Sequence, residues 1–223
     1  LRLAFEKVTG EDLNWFFNEW FYASGHPILN INYTYNDSTK NQTVTVEQMQ
    51  DLKKTPLYLI PIKIDFYVNG KKETKKVVID KQKNIFNFQV NQKPDLVNFD
   101  ADKMLLCEKV DNHKDMKEWA YMFHHAPRYL DRYEAVKKLQ KSTEQIATNT
   151  IIDALSDKYA TIRRIAINGI KKAKKASPEK VKAKLIFLAK NDSNSHVRGD
   201  AITALSKYFD NELALAPLSQ KFK

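Results

Sequence analysis

Five histidines, one cysteine and scattered pairs of acids are the groups from which this chain would have to build a hydrolytic or metal centre. A zinc helix of the His-Glu-x-x-His type sets two imidazoles one turn apart with a Glu between them as base. None of His26, His113, His124, His125 and His196 is followed by Glu, so that helix is absent. His124 and His125 are adjacent in sequence and point to different sides of a helix, which disfavours shared ligation; a helix end before Ala126-Pro127 explains them better. His26 belongs to the Gly25-His26-Pro27 linker. Cys107 follows the apolar run Met104-Leu105-Leu106, where a buried, inert thiol in a strand is expected, and no neighbouring base marks it as a nucleophile. Gly-x-Ser-x-Gly does not occur, and five glycines supply no phosphate-cradling loop. Asp100 with Asp102, and Glu11 with Asp12, are what turns and helix caps ordinarily contain. No catalytic, cofactor-binding or metal-ligating residue is assigned.

The elements that would position any such residue fall into three regions. Residues 9–25 predict one amphipathic helix: Thr9 and Asp12 suggest a capping box, Leu13, Phe16, Phe17 and Trp20 recur at helical spacing, and Gly25 stops it. From residue 28 the period becomes two. Leu29, Ile31, Tyr33 and Tyr35 alternate with polar residues, as do Val44 and Val46, and Ile62, Ile64 and Phe66. Asn69-Gly70 between two such runs predicts a hairpin with positive φ at both turn positions. Further strands are expected at 85–90, 96–99 and 104–108, with Pro56, Pro61 and Pro94 at strand starts, edges or bulges. Short strands with frequent turns and no intervening helix predict an antiparallel β-sandwich over residues 27–110. Tyr33, Tyr35, Phe86 and Phe88 are expected in its core rather than on a carbohydrate-binding face.

Residues 111–223 return to helical spacing. Met116, Trp119, Ala120 and Phe123 mark one face; a helix opens near Ser142 and Gln145 and runs through Ile151, Ala154 and Leu155; Ser177-Pro178 opens another with Val181, Leu185 and Leu188 inward. The region repeats. Arg132-x-x-Ala135-Val136-x-x-Leu139 aligns with Arg163-x-x-Ala166-Ile167-x-x-Ile170 and with Arg198-x-x-Ala201-Ile202-x-x-Leu205, at offsets of 31 and 35 residues. Asp157 and Asp192 each precede their Arg by six residues, whereas the first unit has Ala126 there. The pattern resembles HEAT/armadillo helical hairpins, in which a small Ala lets paired helices approach and an Asp and an Arg bond neighbouring repeats. The spacing is shorter than the ~40 to 47 residues usual for HEAT, so an irregular, truncated α-solenoid is expected. No clear capping helix is read at Leu213 to Lys223.

Composition narrows the class. The chain has 223 residues, 43% of them hydrophobic and 11% aromatic, enough for a real core. No run of 18 apolar residues and no signal peptide is read, so no membrane segment is expected; with one cysteine, the compartment is not legible. The chain starts without Met, which suggests a processed product or a piece of a longer protein. Net charge is +10, of which −2 falls in residues 1–26, +3 in 27–110 and +9 in 111–223. Lys171, Lys172, Lys174 and Lys175 open a stretch to residue 190 with eight lysines and one acid, Glu179. Lys without interleaved Arg or aromatic residues is the usual solvated face of a repeat, so nucleic acid is not the expected partner. The competing expectation is a non-catalytic scaffold whose Lys-rich face binds nucleic acid or an acidic protein.

Gly10-Glu11-Asp12-Leu13-Asn14-Trp15-Phe16-Phe17-Asn18-Glu19-Trp20, followed by Gly25-His26-Pro27-Ile28-Leu29, resembles the end of the catalytic domain of the M1 zinc aminopeptidases, the gluzincins typified by aminopeptidase N. Thr55-Pro56-Leu57-Tyr58-Leu59-Ile60-Pro61-Ile62 is similar to a strand of that family's β-sandwich, and Val97-Asn98-Phe99-Asp100 with Leu105-Leu106 to its closing strands. The resemblance implies an α+β multidomain order: a terminal catalytic-domain helix over 1–26, an antiparallel β-sandwich over 27–110 and an all-α HEAT-like domain over 111–223. It implies the C-terminal, non-catalytic region of a zinc-dependent enzyme that removes N-terminal residues from peptides. The family's His-Glu-x-x-His zinc site, downstream Glu and Gly-x-Met-Glu-Asn strand have no counterpart here, so no cofactor is expected in this chain and zinc is implied only for the full-length protein. The implied partners are the missing N-terminal and catalytic domains, and peptide substrates for the whole enzyme. The implied roles are to support the catalytic domain and to limit access to its active site.

Overall fold

The computed structural model describes residues 1–111 and 113–209; the predicted lack of a cap at Leu213 to Lys223 lies outside them. The fold is mixed α+β, with two sheets that do not close into a barrel. The chain divides into two compact units, Leu1–Lys114 and Asp115–Lys223.

The first unit opens with helix α1 (Arg2–Thr9), which Gly10 ends in the left-handed conformation at φ 74°, its N–H bonding Glu6 O. The predicted helix over 9–25 is therefore shorter. Thr9 closes α1, its hydroxyl donating to Phe5 O, and Asp12 Oδ1 accepts from the Asn14 N–H at 2.8 Å. Helix α2 (Asn14–Phe17) starts there and widens into a π-helical turn over Asn18–Tyr22. The expected apolar row survives within it: Phe17 is buried and Trp20 packs on Tyr58 at 4.7 Å between ring centres.

The strands that follow among the described residues are β1 (Ile28–Asn36), β2 (Asn41–Gln48), β3 (Ile60–Val68), β4 (Lys71–Ile79), β5 (Lys83–Gln89), β6 (Leu96–Phe99) and β7 (Glu108–Val110). They form a four-stranded sheet β5-β2-β1-β7 and a three-stranded sheet β4-β3-β6. Alternation decides which face is covered. Leu29, Ile31, Val44 and Val46 from one sheet and Ile60, Ile62, Ile64, Phe66 and Phe99 from the other make one buried cluster, against which Tyr33, Phe86 and Phe88 are packed. Asn69 and Gly70 adopt φ 50° and 71°, and the β3–β4 hairpin closes on them as predicted.

The strand predicted at 104–108 is displaced to Glu108–Val110, and it pairs parallel with β1 through Ile28, Leu29 and Asn30, so the sheets are not purely antiparallel. Local backbone chemistry explains the shift. Lys103 sits at φ 52°, and the Asp100 carboxylate accepts from the N–H groups of Met104 and Leu105, which removes them from any ladder.

The second unit is helical: α3 (Met116–His125), α4 (Tyr129–Leu139), α5 (Gln145–Ala154), α6 (Ala160–Asn168), α7 (Ile170–Ala176), α8 (Pro178–Asn191) and α9 (Ser195–Tyr208). Asp115 and Glu118 form a capping box at α3, and Pro178 occupies the first turn of α8. The three sequence repeats lie on α4, on α6 with the start of α7, and on α9. Ala135, Ala166 and Ala201 are all fully buried, as are Leu139, Ile170 and Leu205. The Arg and Asp of the repeat meet across units: Arg132 Nε donates to Asp157 Oδ2 at 2.7 Å, and Arg163 Nε and Nη2 donate to the two oxygens of Asp192, each at 2.7 Å. Each Arg also holds the turn before its own helix, Arg163 through Asp157 O (2.7 Å) and Arg198 through Asp192 O (2.8 Å). In the first unit, where Ala126 replaces the Asp, Arg132 bonds Phe123 O instead.

Candidate interaction surface

The groups that could have done chemistry stay apart. His124 Nε2 lies 3.8 Å from Asp153 Oδ2, while His125 stacks on Tyr121 and bonds its carbonyl. Burial holds the His124 pKa below its ordinary value, with Asp153 acting in the opposite sense. His26 Nε2 lies 2.9 Å from Glu108 Oε1 on the protein surface, and Cys107 is half-buried against the β core rather than set in a strand. Among the described residues no three His, Cys, Asp or Glu side chains come together as metal ligands.

What the first unit does contain is an apolar groove of about 730 Å³. It is lined by Trp15, Phe16 and Trp20 of the aromatic segment, by Pro61 and Val78 of the β3–β4 pair, and by Met104 and Leu106. Met104 and Leu106 are 83% and 77% exposed, because the bend at Lys103 turns this segment out of the sheet. Sequence reasoning missed them, taking the run for a buried strand. Lys63, also part of the lining, is paired with Asp102 at 2.8 Å, so its charge is answered locally. Beyond the groove, α1 buries no residue, and Leu1, Leu3, Phe5 and Val8 join Phe21 and Tyr22 as exposed large apolar side chains. An apolar groove with exposed apolar side chains marks an interaction site more often than a chemical one.

One polar tie fixes the aromatic helix beside the groove. Glu19 Oε2 accepts from the Leu59 N–H at 2.7 Å, just before β3. Burial raises the Glu19 pKa, and the Leu59 bond offsets part of that rise. The Tyr58 hydroxyl nearby is buried with no hydrogen-bond partner among the described residues, and burial followed by the Glu19 charge pushes its pKa up.

The lysine-rich stretch divides into two kinds. Lys172 Nζ donates to Lys141 O after α4, Lys174 Nζ to Tyr208 O at the end of α9, and Lys184 Nζ to Ser156 Oγ after α5. These are cations at helix carboxyl ends, where the backbone dipoles favour them. Lys171 and Lys175 are exposed.

No protein-family profile matches the chain. Over 153 residues it is 28% identical to aminopeptidase N of Escherichia coli K12, an alignment that takes in 61% of this chain and 17% of that protein. Aminopeptidase A of Legionella pneumophila, solved in complex with aspartic acid, has a similar fold: the TM-score is 0.71 at 14% identity, over 99% of this chain and 32% of that one. The chain thus spans well under half the length of either protein. The sequence likeness supports an aminopeptidase relationship, and the structural one shows the fold.

Proposed function

We propose that this chain is the C-terminal, non-catalytic region of an M1-type zinc aminopeptidase, an enzyme that removes N-terminal residues from peptides. The observation that carries this reading is the 28% identity to E. coli aminopeptidase N over 153 residues. In it, the two-sheet unit is the family's β-sandwich and the helical unit an irregular HEAT-like solenoid, whose Arg132–Asp157 and Arg163–Asp192 bonds tie successive repeats. The groove between the Trp15–Trp20 segment and Met104–Leu106, with the bare apolar face of α1, is the surface against which the catalytic domain rests. The helical unit limits access to the active site, and the zinc is held by residues outside this chain.

Two measurements test this. The 223-residue chain alone should neither bind zinc stoichiometrically nor cleave an aminoacyl reporter amide; tight zinc binding together with cleavage overturns the proposal. In the complete polypeptide that contains this region, which should carry His-Glu-x-x-His before Leu1, Val78→Asp should lower activity and stability together by weakening the apolar contact. Full activity of that variant removes the supporting role from the groove.

A further inference from the structure

Tyr33, Asp111 and Lys114 form a buried cluster that no part of the proposed function uses. Lys114 is 1% exposed and Asp111 5%. Lys114 Nζ lies 2.5 Å from Asp111 Oδ2 and donates to the Tyr33 hydroxyl at 3.0 Å, and that hydroxyl donates to the same carboxylate oxygen at 3.2 Å. The ammonium also sits 4.3 Å from the centre of the Tyr33 ring. Burying an ion pair this fully costs free energy that the pairing only recovers if all partners stay in place. Burial drives the Lys114 pKa below its ordinary value; Asp111 pulls it back up, while Lys109 and Lys103 add to the fall.

The position of the cluster gives it a task. Asp111 directly follows β7, an edge strand of three residues, and Tyr33 belongs to β1, on which β7 pairs. The segment from Asp100 to Asp111 leaves the three-stranded sheet at β6, runs exposed through Met104 and Leu106, dips into the core at Leu105 and Cys107, and ends in β7. Its first four residues are tied to the three-stranded sheet, Asp102 to Lys63 at 2.8 Å and the Ala101 N–H to Lys63 O; from Met104 on, the segment is held by the half-buried Leu105 and Cys107, the Glu108 N–H on Pro27 O, the surface His26–Glu108 contact and the three register pairs of β7. The same segment lines the apolar groove.

We propose that the Tyr33–Asp111–Lys114 cluster is a clasp that holds the 100–111 segment as a strap across the first unit, and that releasing it frees β7 and opens the groove. The strap moves as a local unit, with the rest of the β core intact. This goes beyond the aminopeptidase reading and does not depend on it.

Cys107 lies half-buried on the strap and is the chain's one cysteine, so a rise in its alkylation by a maleimide reports strap opening with no signal from other thiols. In the whole chain at one fixed pH, Lys114→Met should raise the labelling rate roughly a hundredfold, because the Asp111 charge stays buried without its partner. Tyr33→Phe, which removes both hydrogen bonds of that hydroxyl, should raise it roughly 25-fold, about fivefold for each. The double replacement Asp111→Leu with Lys114→Met should return it towards the wild-type rate, since an apolar pair has no charge to strand. If Lys114→Met does not fold, Tyr33→Phe and the double variant carry the same test. Wild-type labelling rates in the folded single variants overturn the proposal. So does a rate that follows the global unfolding constant through a urea series, which would make opening no more than unfolding of the whole unit.

Discussion

At the scale of single residues, the adjacent arginines of α6 separate a structural ion pair from a decorative one. Arg163 meets Asp192 with side chains 11% and 4% exposed, whereas Arg164 meets Asp200 with 44% and 27%. Both contacts are short, at 2.7 and 2.6 Å, so distance does not distinguish them. Burial does. Removing one partner of a buried pair leaves a charge in a poor solvent, at about 3–5 kcal/mol, while an exposed pair contributes about 0–1 kcal/mol. Arg163→Ala should therefore cost several times more than Arg164→Ala in urea denaturation. Asp192 adds a pH signature. Burial by itself raises its pKa, but the Arg163 bonds, the Asn194 N–H and the Arg163 and Arg198 charges together bring it below the usual carboxylate value. A carboxylate depressed in the folded state contributes stability that is fully present above its unfolded pKa and is lost as pH falls through the folded one. The Arg163→Ala penalty should accordingly shrink in acid below the ordinary Asp range. A penalty that stays constant there would assign the loss to packing of the guanidinium stem.

At the scale of elements, legibility in the sequence followed from how local the controlling interaction is. The β3–β4 hairpin was readable because Asn69 and Gly70 carry their own turn geometry. The repeat was readable because Arg, Ala and a branched residue recur at fixed spacing, and the Ala is fully buried in each of α4, α6 and α9. Two elements were misread. The helix expected from residue 9 breaks at Gly10 and restarts at Asn14, since a left-handed glycine outweighed the aromatic period that runs through it. The strand expected at 104–108 was lost to the Asp100 carboxylate and the bend at Lys103, and the Met104 and Leu106 lining of the groove went unseen with it. Gly169 shows the same limit between elements. It separates α6 from α7 at an ordinary φ of −84°, so backbone freedom gives no reason for a glycine. The reason is space: a Cβ there would lie 2.6 Å from the Gln140 Cβ at the end of α4. Gly169→Ala should therefore destabilise by about 1–3 kcal/mol despite alanine's better helix propensity. Gln140→Gly in the same chain should recover most of that loss in thermal melts, and no recovery would place the strain elsewhere.

At the scale of the whole molecule, the +10 charge is what would draw this chain to polyanions, and the structure says how that charge is spent. If the lysines of residues 171–175 formed a recognition face, reversing any of them would weaken binding and leave folding alone. Two of the four instead reach carbonyls at the carboxyl ends of α4 and α9. A cation at a helix carboxyl end contributes about 0.3–1 kcal/mol, and an anion there repels the same dipole. Lys172→Glu and Lys174→Glu should each lower stability by about 1 kcal/mol or somewhat more, whereas Lys171→Glu and Lys175→Glu should stay within about 0.5 kcal/mol of wild type. Retention on DNA should be seen at low salt, as expected for net positive charge, and should vanish near about 0.15 M salt, where the screening length falls to about 8 Å. All four reversals should weaken that low-salt retention alike, because each removes the same charge. Retention that persists at physiological salt and is lost selectively with Lys171 and Lys175 would instead make the Lys-rich surface a binding face, and the scaffold reading would then displace the peptidase one.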